Sequence, residues 1–439
     1  MVQEGGVVEE LRRWMTTLAE LPDAASDAEL VDRIRAMQEL KNALCAAQAR
    51  DTAALDAATR AARADEGVRP EKQGAGVASQ VALARRESPN RGAIHLGLAK
   101  VLTAEMPHTL RAMRMGVLSE WRATLLARET SCLSVEDRRH VDLVVAGNLA
   151  RLETMSDREL VREAQRLAHR LDAEAVVRRI GYAQTERRVT IRPAPDTMSW
   201  VTALLPVAEG VAVHAALTRE ADAARAAGDS RSRGQVMADT LVERTTGRAA
   251  TEPVPTQVTL VMTDRTLLAG DDEPAELHGH GIVPAEWART QVARAADART
   301  AWLRRVYTAP STGGLVAMDS RATKFPRALG RWIEIRDHGT CRTPWCGAPI
   351  RHHDHATRRA DGGQTSSING QGLCEACNYA KEARGWHARP RPGPRHSTEI
   401  TTPTGHCYTS TAPPLPGDRP HRTWHSRIET YVVEVILAA

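Results

Sequence analysis

CRTPWCGAPIRHHDHATRRADGGQTSSINGQGLCEACNYAKEARGW, residues 341–386, gathers four of the chain's seven cysteines into two pairs. Cys341 and Cys346 stand at x4 spacing, Cys374 and Cys377 at x2 spacing, with 27 residues between the pairs. In a reducing compartment, clustered cysteines indicate a metal rather than disulfides. Four thiolates in two knuckles suit a tetrahedral structural Zn²⁺ site with every position closed to water. A unit of this length buries little core alone, so the ion is expected to act as a staple and not as a reaction centre. The other cysteines carry no such pattern. Cys45 and Cys132 sit singly in helical stretches and read as small buried residues, and Cys407 is a lone thiol outside the frame.

Between the knuckles, His352, His353, Asp354 and His355 fill four consecutive positions, followed by Arg358, Arg359 and the Gly362–Gly363 pair. With Asn369, Asn378 and Lys381, this order resembles the HNH endonuclease motif: Asp354-His355, Gly362-Gly363, Asn369, then Cys374-x2-Cys377-Asn378 and Lys381. The resemblance covers roughly residues 341–390. It implies a strand, a long loop, a second strand and a helix wrapped around one catalytic divalent metal. It also implies that Asn369 braces the loop and orients the histidine without touching substrate. The run departs from related motifs at Arg358 and Arg359, where a proline often follows the Asp-His step, and this leaves the local course of the loop open.

The chemistry can be argued beside the resemblance. Phosphodiester hydrolysis needs a deprotonated water, charge neutralisation on the phosphate and help for the leaving oxygen. His355 is of the residue type that accepts a proton near neutral pH. Asp354 offers a hard oxygen ligand suited to Mg²⁺ or Mn²⁺, and Asn378 a second oxygen from the first turn of a helix. Lys381, one helical turn further on, is placed to face a phosphate. His353 reads either as a neighbour of the metal or as a plain polar strand residue. Successive strand residues point to opposite faces, so the strand is expected to end or twist at the Asp354–His355 step. Between 342 and 395 there are eight arginines and one lysine against four acidic residues. That local basicity makes Arg358, Arg359 and Arg384 the candidate phosphate contacts and duplex DNA the expected partner.

Working outward, 439 residues exceed the roughly 100–200 of one domain, so two or three domains are expected. Cores should be aliphatic, because aromatics are 3% of the chain and Phe325 is its one phenylalanine. A net charge of +5 permits nucleic-acid binding without arguing for it. No run of ~18 apolar residues is present, which argues against a membrane helix. The start, MVQEGGVVEELRRW, lacks a basic and apolar leader, so a cytoplasmic location is expected.

The organisation expected is a mainly α N-terminal region, a small α+β middle portion, and a C-terminal zinc-stapled ββα-metal (HNH) module. Residues 1–250 read as the helical domain, with an alternating strand near 188–195. Leu30, Ile34, Met37, Leu40, Leu44 and Ala47 mark one amphipathic stripe. A single long helix is expected from Ser156, whose Glu159 completes a capping-box pattern. Residues 251–330 read as a small α+β connection with a hairpin around Ser-Thr-Gly-Gly. Residues 331–390 form the nuclease module, and 391–439 a Pro/Arg/Thr-rich tail with a short terminal helix.

VALARRESPNRGA (81–93), EMPHTL (105–110), LSEWRATLLARET (118–130) and DTMSWVTALLPVAEGVAVHAAL (196–217) resemble an actinobacterial group of HNH endonucleases with a large helical N-terminal domain. These stretches mark kinship and state no chemistry; positioning DNA, binding a partner and forming a homodimer are all compatible with them. Metal-dependent hydrolysis of DNA is the function expected. The competing reading is a zinc-stapled nucleic-acid-binding or scaffold protein whose site has lost activity.

Overall fold

The structure, a computed structural model, describes residues 6–248, 259–297 and 325–417. It is mainly helical, with small antiparallel sheets concentrated toward the C-terminal end. Among the described residues no helix is long and apolar enough to cross a membrane. The chain divides into two compact units, one of residues 1–68 and 94–179, the other of 69–93 and 180–439.

The first unit is built on the 39-residue helix Asp27–Asp65, whose start is capped by Ser26 accepting the Glu29 N–H. Its buried contacts run through small residues such as Ala46 and Ala49, which allow the close approach of neighbouring helices. The predicted stripe is not the buried face: Leu30, Ile34, Met37, Leu44 and Ala47 are exposed and Leu40 is half-buried, whereas the helix buries Asn42, Ala46, Ala49, Thr52 and Asp56. The core is supplied by Leu98, Leu102, Met106, Met113, Leu126, Val141 and Leu160. Buried Asp142 accepts from the His108 and Thr109 amides at 2.7 and 2.8 Å, satisfying the opening turn of the helix Pro107–Arg114. The capping box at Ser156 and Glu159 is present. The long helix expected after it is broken, however, into Asp157–Leu171 and Ala173–Thr185. Asp172 causes the break, because its carboxylate accepts the Ala175 N–H at 2.8 Å and so begins a new helix.

In the second unit, Arg188–Pro193 and Ser199–Leu204 pair as an antiparallel hairpin, followed by the helices Val207–Ala226 and Arg233–Thr246. Leu260–Val261 joins Ala275–Leu277 and Gly281–Val283 in a three-stranded sheet beside the helix Ala285–Asp297. The expected hairpin around Ser-Thr-Gly-Gly and the terminal helix lie outside the described residues.

Two differences bear on the site. Residues 69–93, expected within the helical domain, group instead with the C-terminal unit. Leu83 of the helix Val77–Arg85 packs on Ala383, Trp386 and Ile400. Gly76, at φ +81°, precedes that helix, and a Cβ there would lie 2.6 Å from the Trp386 indole nitrogen. The second difference concerns the supposed tail. His387–Arg391, Ser397–Thr401 and Cys407–Thr411 form an antiparallel meander with Ser397–Thr401 at its centre. Pro390 is tolerated because its strand is at the edge, and Arg389 and Arg391 bond the cross-strand Glu399 at 2.8 and 2.7 Å. Arg342 ties this sheet to the cysteine frame by donating to the carbonyls of Thr411 and Ser410 at 2.8 and 2.9 Å.

Candidate functional site

The four cysteines converge. Cys341, Cys346, Cys374 and Cys377 are buried, and their sulfurs all lie within 4.8 Å of one another. The Cys346 and Cys374 sulfurs are 3.6 Å apart, close to the ~3.8 Å separation that Zn–S bonds of about 2.3 Å impose in a tetrahedron. Cys374 also caps the helix Glu375–Lys381, its sulfur accepting the Cys377 N–H at 3.5 Å. Neighbouring thiols hydrogen-bond to Cys374 and Cys341 and lower both, while Cys346 and Cys377 are pushed up. Four such groups ionise together only around a cation. The donor set is thus compatible with a structural zinc site, and no other group of this kind occurs among the described residues.

The frame holds a hairpin. The strands His352–His355 and Gly370–Leu373 pair antiparallel, with Asp354 opposite Gln371 and His355 opposite Gly370. A buried ion-pair network fixes the second strand. Asp337 binds Arg336 through two bonds of 2.8 and 2.9 Å and accepts the Gly372 N–H at 3.0 Å, while Arg336 donates to the Gly370 carbonyl at 2.9 Å.

Side chains alternate along the first strand. Asp354 faces the helix Glu375–Lys381, with Oδ2 2.9 Å from the Lys381 ammonium. His352 lies on this side too, its ring 6.2 Å from that of Tyr379. His353 faces the helix Arg327–Arg336 and lies 3.2 Å from Glu334, away from the Asp354 carboxylate. His355 packs 4.7 Å from the Phe325 ring, and its Nε2 is 2.9 Å from the Thr365 hydroxyl. The strand ends at His355, where Nδ1 stands 3.9 Å from Asp354 Oδ1. Burial pushes the His355 imidazole below its ordinary value, opposed by Asp354, so the ring is neutral at neutral pH.

Asn369 makes three bonds across the loop. Its Oδ1 accepts the Thr357 N–H at 2.8 Å, and its Nδ2 donates to the carbonyls of Thr357 and Gln364 at 3.0 and 2.9 Å. Gly363 is required under this clamp, because a Cβ there would fall 1.8 Å from the Thr357 carbonyl. Asn378, in the helix facing Asp354, keeps Oδ1 buried with no partner. A buried carbonyl oxygen without a protein partner is a hard donor of the same kind as the Asp354 carboxylate.

The basic residues divide. Arg358 donates to the Lys381 carbonyl and pairs with Glu382 at 3.3 Å, closing the end of the helix rather than facing solvent. Arg359 and Arg384 are exposed. Lys381, expected to face a phosphate, is buried between Asp354 and Glu382. Phe325, Thr365, Gln371 and the Arg336–Asp337 pair also shape the site. No spacing rule singles them out, since each acts through a contact made only once the chain is folded.

The chain belongs to the family described as a domain of unknown function (DUF222), which matches residues 39–337. No curated protein and no solved structure matches it. The family match ends before Cys341, so the reading of the site rests on its own residues.

Proposed function

We propose that this protein is a metal-dependent HNH endonuclease that hydrolyses phosphodiester bonds in DNA. The observation that carries the reading is the buried, unpartnered Asn378 Oδ1 on the helix facing Asp354, beside a histidine kept neutral by burial. Asp354 and Asn378 would hold a divalent Mg²⁺ or Mn²⁺, which neutralises phosphate charge and assists the leaving oxygen. His355 accepts the proton of the attacking water at Nδ1, the nitrogen on the Asp354 side, while Thr365 and Phe325 hold the ring. Asn369 fixes the loop that carries Thr365, and so positions the base without touching substrate. Arg359 and Arg384 contact the DNA backbone; Arg358 supports the helix end.

Supercoiled plasmid incubated with the purified chain and Mg²⁺ or Mn²⁺ tests this. The expected result is relaxed or linear plasmid, abolished by His355→Ala and by chelation, and restored after chelation by returning zinc with Mg²⁺. Cleavage that survives His355→Ala removes the base assignment. A chain that binds DNA tightly yet leaves it intact is the inactive zinc-stapled binding protein instead.

A further inference from the structure

Lys381 occupies the carboxylate that the proposed metal needs. Its ammonium is 2.9 Å from Asp354 Oδ2, and its side chain is 7% exposed. A divalent cation on the same carboxylate would bring two positive centres to one small oxygen group in a poorly solvated place. The two then compete for Asp354, and Glu382, which also pairs with the lysine, is half-exposed and offers it a weaker hold.

The structure offers the lysine a second seat. Gln371 stands directly opposite Asp354 in the ladder, so both side chains project from the same face of the hairpin. It is fully buried, yet neither its Oε1 nor its Nε2 has a partner. A buried amide with both atoms unpaired is costly and rare, and requires a reason. Gln371 and Lys381 both line one small cavity, whose lining also includes Ser79, Leu83 and Trp386. Its volume of about 20 Å³ accepts one group the size of water or of an ammonium.

We propose that Lys381 is an exchangeable counter-ion. It neutralises Asp354 while the metal is absent, and on metal binding it turns into the cavity, where Gln371 Oε1 accepts its N–H. Gln371 is then a positioning residue that sets metal affinity through the lysine. The inference rests on the endonuclease reading for the identity of the metal ligands, but its test needs no cleavage.

Calorimetric titration of the zinc-loaded full chain with Mn²⁺, without DNA, measures the exchange. Lys381→Met removes the competing cation and is expected to tighten Mn²⁺ binding. Gln371→Leu removes the second seat and weakens binding by about tenfold, the size of one hydrogen bond to a charged group. Gln371→Glu strengthens the seat and tightens binding, a direction that misfolding does not produce. The double variant Lys381→Met/Gln371→Leu is expected to match Lys381→Met alone. Equal weakening by Gln371→Leu with and without the lysine would overturn the exchange, as would weaker binding in Lys381→Met. Asp354→Ala separates the two levels: if it leaves Mn²⁺ binding unchanged, or the wild type binds none, the ligand assignment itself fails, and the exchange with it.

Discussion

His396 carries the clearest pH signature of any single residue here. Its Nε2 lies 2.8 Å from the Ile368 carbonyl, and burial pushes the imidazole down to about 4. As acid is added, the unfolded chain takes up this proton near the ordinary histidine value of 6.5, well before the folded chain does. Stability from this site is therefore complete above about pH 6.5 and is lost as the pH falls toward 4. Urea midpoints at pH 7 and pH 5 should differ more for the wild type than for His396→Gln; equal differences would show that the residue is not buried as described. Nothing around His396 in RPRPGPRH announces this, because its burial comes from a sheet that composition disguises as a tail. Asn369 is the opposite case. The resemblance to the HNH motif implies a loop brace at this position, and its side chain makes three hydrogen bonds across the loop.

At the scale of elements, the cysteine frame was readable because ligand spacing is a local property of the chain. Two knuckles at x4 and x2 spacing need only a hairpin and a helix start to meet, and Cys374 supplies both a sulfur of the cluster and the helix cap. The strand length was legible too, since side-chain alternation makes a break after Asp354–His355 necessary if both are to approach one group. The fates of Arg358 and Lys381 were not. Charge counting treats them as solvated, whereas the helix end recruits both into pairs with Glu382. A four-cysteine cluster compatible with zinc leads to a prediction about folding. Cys377→Ser, which leaves three sulfurs, or removal of zinc, which leaves four crowded ones without a cation, should melt the hairpin His352–Leu373. Zinc content by absorption spectroscopy and amide exchange across 341–386 measure this; full protection in the zinc-free chain would show that the frame is held by packing alone.

Across the whole molecule, the stretch VALARRESPNRGA resembled a family without saying why. The structure gives it work. Leu83 is 2% exposed against Trp386 at 3% and Ile400 at 6%, so a segment early in the chain completes the core under the meander. No periodicity within residues 77–85 identifies a partner so distant in sequence. A helix shows that one of its faces is apolar, not which surface that face covers. Leu83→Ala should cost the C-terminal unit about 2–5 kcal/mol, the usual range for emptying a buried leucine site. Amide exchange resolved by segment reads the consequence. Protection should fall across the strands between 387 and 411 and in the helix Glu375–Lys381, whose Lys381 borders the cavity that Leu83 also lines. The helices between 107 and 171 have their own core around Leu102, Met113 and Leu126 and should keep their protection. If those helices lost protection while the meander kept it, Leu83 would belong to the first unit's core and the cavity beside Lys381 would lack its wall.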